Sequence, residues 1–250
     1  MIKIAVCGAC GKMGQNILEL LETDAEAQTF CGIDPNGGNC KDIKVYKSFN
    51  EIEGKPDVII DFSSPAALES ELEYAVKNNV PAVIGSTGFT PEQLKAIEAA
   101  SKKVAVFRTA NFSLGVNLLC ELVKRAAQTL GEKFDIEIIE RHHNKKVDAP
   151  SGTAIMLAES ANSAFDGEKQ YLNGREGICG KRGNEIGIHA VRGGTIVGEH
   201  EVAFCGEDEI ITLSHSARSK KVFAAGAIRA AKWLAGKPAG LYNMGDLLAD

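Results

Sequence analysis

Ile2-Lys3-Ile4-Ala5-Val6-Cys7-Gly8-Ala9-Cys10-Gly11-Lys12-Met13-Gly14 opens the chain, a short apolar run that meets three glycines at spacing three. Such a run bounded by glycine reads as a buried strand. Beyond it Ile17, Leu18, Leu20 and Leu21 recur at helical spacing. Strand, glycine turn and helix together form the opening of a dinucleotide-binding fold. The glycines let the chain turn tightly, let a pyrophosphate approach bare backbone and let the helix pack close on the strand. Gly8, Ala9, Cys10, Gly11, Lys12 and Met13 are therefore candidate cofactor contacts. A second strand, about Gln28 to Ile33, ends in Asp34, twenty residues beyond Gly14. A carboxylate at that place accepts hydrogen bonds from the adenosine ribose hydroxyls; the alternative is a plain turn Asp before Pro35.

Working outward, Asn36 to Asn39 reads as a loop, and Asp57 to Phe62 as a buried strand ending at Ser63-Ser64-Pro65. A helix over Ala67 to Val76 follows, then the strand Ala82-Val83-Ile84 running into Gly85-Ser86-Thr87-Gly88. After a helix near Pro91 to Ala100, Val104 to Phe107 runs into Thr109-Ala110-Asn111-Phe112-Ser113. Strands alternating with helices predict a Rossmann-like, doubly wound parallel sheet, an α/β fold. Ligands in that architecture lie at the carboxyl ends of strands. Gly85, Ser86 and Thr87, with Thr109, Ala110, Asn111 and Phe112, fall at such ends.

Near residue 113 the pattern changes, which marks a second domain. A helix from Gly115 to Leu130 leads to Phe134 to Ile139, a β-branched strand that delivers His142-His143 to its end. Pro150-Ser151-Gly152-Thr153 precedes an Ala/Leu/Met run at helical spacing, about Ala154 to Ala164, so Ser151 or Thr153 is expected as the cap. Backbone N–H groups at a helix start bind anions, and the cations Arg141, Lys145 and Lys146 would reinforce that. The local design suits a small carboxylate or phosphate with titratable groups alongside. Asp166 to Asn184 reads as a long connection, and Ile186 to Val191, Thr195 to Phe204 and Ile210 to Ser214 as strands joined by tight turns. These predict a second α+β domain with a largely antiparallel sheet arranged as a meander. A helix over about Lys220 to Leu234 follows. His189, His200 and His215, as lone imidazoles in strands, are assigned structural roles.

Composition excludes several classes of function. At 250 residues, 44% hydrophobic and 24% charged, the chain is of globular type with room for two domains. A net charge of −5 argues against a nucleic-acid partner. With no apolar run of membrane-spanning length and Lys3 leading straight into a strand, no membrane partner and a cytoplasmic location are expected. The seven cysteines are scattered. Cys7 and Cys10 have redox-motif spacing, but a buried strand end and a glycine turn account for both small side chains. No second Cys or His pair stands at zinc-ligand spacing, so no metal is expected.

Glu140, His142, His143, Lys146 and the run Asp148 to Ala154 closely resemble the signature of the dihydrodipicolinate reductase family: Glu, any residue, His-His, two residues, Lys, any residue, Asp-Ala-Pro-Ser-Gly-Thr-Ala. The glycine turn and the two strand-end segments resemble the same family's cofactor side. The resemblance implies NAD(P)H-dependent reduction of 4-hydroxy-tetrahydrodipicolinate, a small cyclic dicarboxylate, to tetrahydrodipicolinate, a step of lysine and diaminopimelate biosynthesis. It implies Lys146 as proton donor and His142 as acid/base partner, with His143, Ser151, Gly152 and Thr153 on the substrate carboxylates and Thr87 near both ligands. It also implies a homotetramer, and a dinucleotide domain over residues 1–112 completed by 217–250, with the substrate and oligomerisation domain over 113–216. Cys10 departs from the glycine common at its place and crowds the pyrophosphate slightly. Asp34 predicts NADH as the preferred cofactor, with NADPH still usable through Lys12 or Lys41. Two rival readings are a dehydrogenase of another small carbonyl compound and a non-catalytic NADH-sensing protein. The first would not need the His-His to Ser-Gly-Thr order, and the second would bind cofactor without turnover.

Overall fold

The structure, a computed structural model, describes residues 1–37, 40 and 43–250. Gly38 and Asn39 of the expected loop, and Lys41, lie outside the described residues. Along the first part run β1 (Ile2–Cys7), α1 (Lys12–Leu21), β2 (Ala27–Ile33), β3 (Val45–Tyr46), β4 (Val58–Asp61), α2 (Leu68–Asn78), β5 (Ala82–Ile84), α3 (Pro91–Ser101) and β6 (Ala105–Arg108). Next come α4 (Leu114–Leu130), β7 (Asp135–His142), α5 (Gly152–Asn162), β8 (Gln170–Asn173), β9 (Glu185–Arg192), β10 (Gly198–Cys205) and β11 (Ile210–Ala217). The chain closes with α6 (Lys221–Leu234), β12 (Gly240–Tyr242) and α7 (Met244–Ala249). Two compact units result: Met1–Ser113 with Lys220–Asp250, and Leu114–Ser219.

In the first unit a seven-stranded sheet runs in the order β12-β6-β5-β4-β1-β2-β3, and every neighbouring pair is parallel. Ala5, Ile59, Ile84 and Val106 on one face pack with Leu72, Ala75 and Ile97 of α2 and α3. The alternate residues Ile4, Val6, Ile60, Val83 and Phe107 are buried as well. Burial on both faces is why these strands read as continuous apolar runs rather than alternating ones. The reversal of strand order lies between β1 and β4, which puts the glycine turn after β1 beside the loop after β4, where α/β sheets hold ligands. The short β12 went unread in the sequence because Gly240-Leu241-Tyr242 has no strand pattern of its own and gains its place by pairing with β6.

The cysteine reading needs correction. Cys10 forms a disulfide with Cys40, their Cα atoms 5.9 Å apart. Cys7, the other half of the apparent redox motif, is a free buried thiol, and burial next to Asp61 and Glu71 pushes it far up from its ordinary value. A cross-link between a glycine turn and a loop thirty positions away leaves no local spacing to read.

The second unit holds a five-stranded mixed sheet in the order β11-β10-β7-β9-β8. Its central strand β7 pairs antiparallel with β10 and parallel with β9. Ile136, Ile138, Ile186, Ile188, Val202 and Phe204 turn inward onto Val116, Leu119, Val123, Leu157 and Ala161 of α4 and α5. The expected meander is therefore corrected at one joint: β9 and β10 follow one another in sequence but β7 lies between them. After the exposed Asp135, β7 alternates buried and half-exposed positions, and it is paired on both edges. The turn at Gly193-Gly194 closes on β7 instead of forming a hairpin, through Gly193 N to His142 O at 2.9 Å and Asn144 N to Gly194 O at 3.2 Å. β8 lies inside the connection read as a loop; its mostly exposed Gln170-Tyr171-Leu172-Asn173 shows no apolar alternation.

Candidate active site

In the first unit the glycine turn is built for close approach. Gly8 has φ +76°, and a Cβ on it would stand 2.8 Å from the Phe62 carbonyl oxygen. At Gly14 a side chain would strike the backbone of Gly8 and Ala9. Helix α1 begins at Lys12 with Gly11 as N-cap and no side-chain cap. Its first N–H groups thus keep their capacity for an anion, and this bare cradle fits a dinucleotide pyrophosphate. Asp34 is buried and accepts from Cys10 N and from Asn36 N, each at 3.1 Å. Both readings of Asp34 are visible in it, a turn residue bonded to Asn36 and a carboxylate held at the glycine turn.

The loops after β4 and β5 are tied together by Asp61, which is buried. It accepts from Ser63 N at 2.9 Å, from Ser63 Oγ at 2.5 Å and from Ser86 Oγ. Gly85 packs its bare Cα against the Phe62 ring, where a Cβ would fall 2.5 Å from Cζ. Ser86 is thereby fixed and buried while its neighbour Thr87 stays exposed. After β6, Thr109 Oγ1 donates to Asn111 O at 3.2 Å, Ala110 is exposed, and the buried Phe112 ring lies 5.3 Å from that of Phe62. The cofactor residues expected from the sequence thus line the ends of β1, β2, β5 and β6 within one unit.

In the second unit strand β7 extends to His142, three residues beyond the expected end at Ile139. Strand alternation then separates Arg141 from the site. It turns to the opposite face and meets Glu201 at 3.7 Å, so it does not reinforce the anion site as expected. His142 and Glu140 share the inner face, and Glu140 is completely buried. Its carboxylate accepts His142 Nδ1 at 2.6 Å, Ser151 N at 3.0 Å, Arg192 Nη1 at 2.7 Å and Arg192 Nη2 at 2.8 Å. Burial alone would raise this acid, but the bonds from Arg192, His142 and Ser151 prevail and hold it below its ordinary value. A carboxylate only accepts, so Nδ1 of His142 carries a proton and Nε2 is the ring nitrogen turned away from Glu140. Gly198 leaves room for that nitrogen, since a Cβ there would stand 3.1 Å from it.

Ser151 caps α5, its Oγ accepting from Ala154 N at 3.1 Å and meeting His200 Nε2 at 2.9 Å. It is buried and inward-bonded, whereas Gly152 is exposed and Thr153 half-buried at the first turn. His200 is lowered to about 4 by burial, with His142 beside it acting in the same direction. It stays a neutral, structural imidazole at ordinary pH, its ring 5.2 Å from that of His142. His189 bonds Glu137 at 2.7 Å, and His215 is likewise lowered by burial. His143 follows the strand, its buried Nδ1 without a hydrogen-bond partner among the described residues. Lys146 sits in the next turn with Nζ on both Asp148 oxygens, at 2.9 and 2.8 Å, and that bond holds the Asp148 carboxyl below its usual range. His142, His143, Lys146 and the Ser151-Gly152-Thr153 helix start thus gather within one unit.

Comparison with known proteins decides the family. The family model described as Dihydrodipicolinate reductase, N-terminus matches residues 2–112, and that described as Dihydrodipicolinate reductase, C-terminus matches 115–248. The chain belongs to the dihydrodipicolinate reductase family. It is 48% identical over 249 residues, 99% of this chain and 98% of the relative, to the 4-hydroxy-tetrahydrodipicolinate reductase of Caldanaerobacter subterraneus subsp. tengcongensis. The reductase of the same name from Clostridium novyi (strain NT) is 44% identical over 248 residues, 99% of this chain and 98% of that one. Among solved structures, a dipicolinate-bound dihydrodipicolinate reductase from Paenisporosarcina sp. TG-14 superposes with TM-score 0.81 at 28% identity, covering 97% of both chains.

Within this family member, the residue that sequence reading missed is Arg192. It stands fifty positions from the His-His pair, beside a glycine turn, where a basic residue is ordinarily solvated. Only the parallel pairing of β9 with β7, in which Arg192 stands opposite His142, brings it to Glu140. Among the described residues no group of His, Cys, Asp and Glu could hold a metal ion, and no helix is long and apolar enough to cross a membrane.

Proposed function

We propose that the chain reduces 4-hydroxy-tetrahydrodipicolinate to tetrahydrodipicolinate and water, with a reduced nicotinamide dinucleotide and one proton consumed, in the biosynthesis of diaminopimelate and lysine. Full-length kinship with reductases of that name carries this reading, and the dipicolinate-bound relative supports a small dicarboxylate as ligand. The nicotinamide, when bound, supplies hydride to the acceptor carbon. The chain's own work is to hold the two ligands and move a proton. Gly8 to Met13, with Gly85 to Thr87 and Thr109 to Phe112, would hold the dinucleotide. The amides of Gly152 and Thr153, with His143, would hold the carboxylates, and Ser151 shapes the helix start through its cap. Lys146 donates the proton, and Asp148 fixes its ammonium until substrate arrives. His142 can stabilise charge nearby or return a proton to Lys146 after Lys146 has given its own to the substrate.

The test is NADH oxidation with substrate generated in place from pyruvate and aspartate semialdehyde by the preceding condensing enzyme, with pyridine-2,6-dicarboxylate as competitor. No turnover by the wild-type protein would remove the proposal. In the same assay Lys146→Met should cut kcat by roughly 10²–10⁴-fold with NADH binding intact; near-normal turnover would take Lys146 out of the mechanism.

The cofactor is NADH by preference. The Asp34 carboxylate at the glycine turn repels a 2′-phosphate and suits free ribose hydroxyls, while Lys12 lets NADPH be used. A preference of about ten-fold in kcat/KM is expected, on the order of 1.4 kcal/mol, and added salt should narrow it. An NADPH preference at low salt would show that Asp34 acts only as a turn residue. The working form is a cytoplasmic homotetramer. The sheet face opposite α4 and α5 supports assembly, presenting Ile139 and Ala203 half-exposed between charged rows. Light scattering at micromolar concentration reads the mass directly.

A further inference from the structure

Two groups of the proposed chemistry, His142 and Lys146, lie at the end of β7 and in the turn that follows it, each bonded to a carboxylate two residues away. Arg192, at the end of β9, touches what holds each of them. Its Nη1 and Nη2 form a fork on the two Glu140 oxygens, at 2.7 and 2.8 Å. Nη2 also donates to the Asp148 carbonyl at 2.6 Å. From Glu140 the chain of bonds passes to His142 Nδ1 at 2.6 Å. From Asp148 it passes through the carboxylate to Lys146 Nζ at 2.8 Å.

We propose that Arg192 is a positioning residue that sets His142 and Lys146 together, acting through Glu140 on the first and through Asp148 on the second. Its hydrogen bonds run to Glu140, Asp148 and Val191, and it acts on the two acid groups through the first two. The inference rests on the reading of His142 and Lys146 as the acid groups of the reaction. Its physical basis is the shape of guanidinium. Only a planar fork can meet two carboxylate oxygens and still offer a hydrogen to a carbonyl beyond; an ammonium is a point charge that meets one or two of them. With the fork in place, the buried Glu140 stays ionised and accept-only, which keeps a proton on His142 Nδ1, so that the neutral form of the ring has its bare nitrogen at Nε2. Without it, the carboxyl has fewer donors and the imidazole can turn to its other tautomer. The backbone of the same turn adds to the grip, since Gly193 N holds the His142 carbonyl at 2.9 Å. Glu140 is ringed by donors from β7, β9 and the start of α5, so the tautomer is over-determined only while all three remain.

Arg192→Lys keeps the charge and removes the fork. In the holoenzyme it should lower kcat by roughly 10–100-fold, as displacement of reacting groups by about 1 Å does, with KM for the dicarboxylate changed less than about three-fold and NADH affinity unchanged. A purely structural role would lower the folded fraction or both ligand affinities instead. A second measurement needs no variant: nitrogen-15 NMR of the labelled imidazoles should show His142 in the wild-type protein as the Nδ1–H tautomer, and as a mixture in Arg192→Lys. Wild-type kcat in Arg192→Lys overturns the inference, and so does an Nε2–H tautomer at His142 in the wild type. Should the wild-type protein oxidise no NADH with this substrate, the proposed reaction falls, and the tautomer of His142 still decides the placement made by Arg192.

Discussion

Two glutamates with no solvent exposure stand in contrasting surroundings, Glu140 at the end of β7 and Glu71 on the inner side of α2. Glu140 receives hydrogen bonds from His142, Ser151 and both ends of the Arg192 fork. Glu71 has no hydrogen-bond partner for either oxygen among the described residues, and the nearby Asp61 adds repulsion to the effect of burial. A carboxylate taken out of water is costly unless donors replace its hydration. Glu140 meets that condition and stays charged; Glu71 does not and stays protonated, raised well above its ordinary value. The proposed chemistry stands beside the charged one. Convergence of donors from separate elements fixes geometry, whereas a neutral acid in an apolar layer only fills space.

The largest effect expected from this contrast is at Glu140. Glu140→Ala would take from the half-buried Arg192 its carboxylate and from His142 its orienting partner, a loss of about 3–5 kcal/mol. Urea denaturation of the second unit's transition measures it, and a loss no greater than for Glu71→Ala would erase the distinction between the two sites.

Asp61 sharpens the comparison because it lies beside Glu71 yet resembles Glu140, with Ser63 and Ser86 as donors. Asp61→Ala would strand both hydroxyls and free the loops after β4 and β5. We expect about 1–3 kcal/mol of lost stability and weaker NADH binding, followed by denaturant midpoint and by fluorescence titration. Unchanged NADH affinity would mean that those loops are held in place by packing of Phe62 and Gly85 alone.

What the sequence made legible, and what it hid, follows the range of the forces involved. Local patterns sufficed for much of the first unit, where short apolar runs marked β1, β4, β5 and β6 nearly to the residue, and in the second Pro150-Ser151 located the start of α5. The resemblance marked His142 and Lys146. Period-two alternation was already enough to place Arg141 on the face away from His142, but the expectation of a basic cluster passed over it. Arg192 had no local signal at all, since its partner lies across a parallel pairing that sequence adjacency argues against. The same pairing overturned the meander, and the Cys10–Cys40 bond was hidden by the same kind of distance. Glu71 was invisible for another reason. A glutamate in the helical run Leu68-Glu69-Ser70-Glu71-Leu72 reads as solvated, and only the packing of α2 on the sheet shows that it is not.

The most specific test of the contrast reads the charge of Glu71 directly. In the unfolded chain this acid ionises near its ordinary value of 4.5, while in the folded protein it keeps its proton to a higher pH. Below that ordinary value both states are protonated and Glu71 has no effect on stability. Above it the unfolded state releases a proton that the folded state retains, so stability falls as pH rises, by at most about 1.4 kcal/mol per pH unit, until the folded value is passed. Glu140 has the opposite sign: its lowered folded value gives stability above its unfolded value that is lost on acidification through the folded one. That contribution is common to wild type and Glu71→Gln and cancels in their difference. The denaturant midpoints of the two proteins should therefore coincide near pH 4.5 and diverge in favour of Glu71→Gln as pH rises to 8, with a plateau once Glu71 ionises in the folded state. A difference that stays constant across this range would mean that Glu71 is ionised in the folded protein, and that an unpartnered carboxylate is tolerated beneath the dinucleotide sheet.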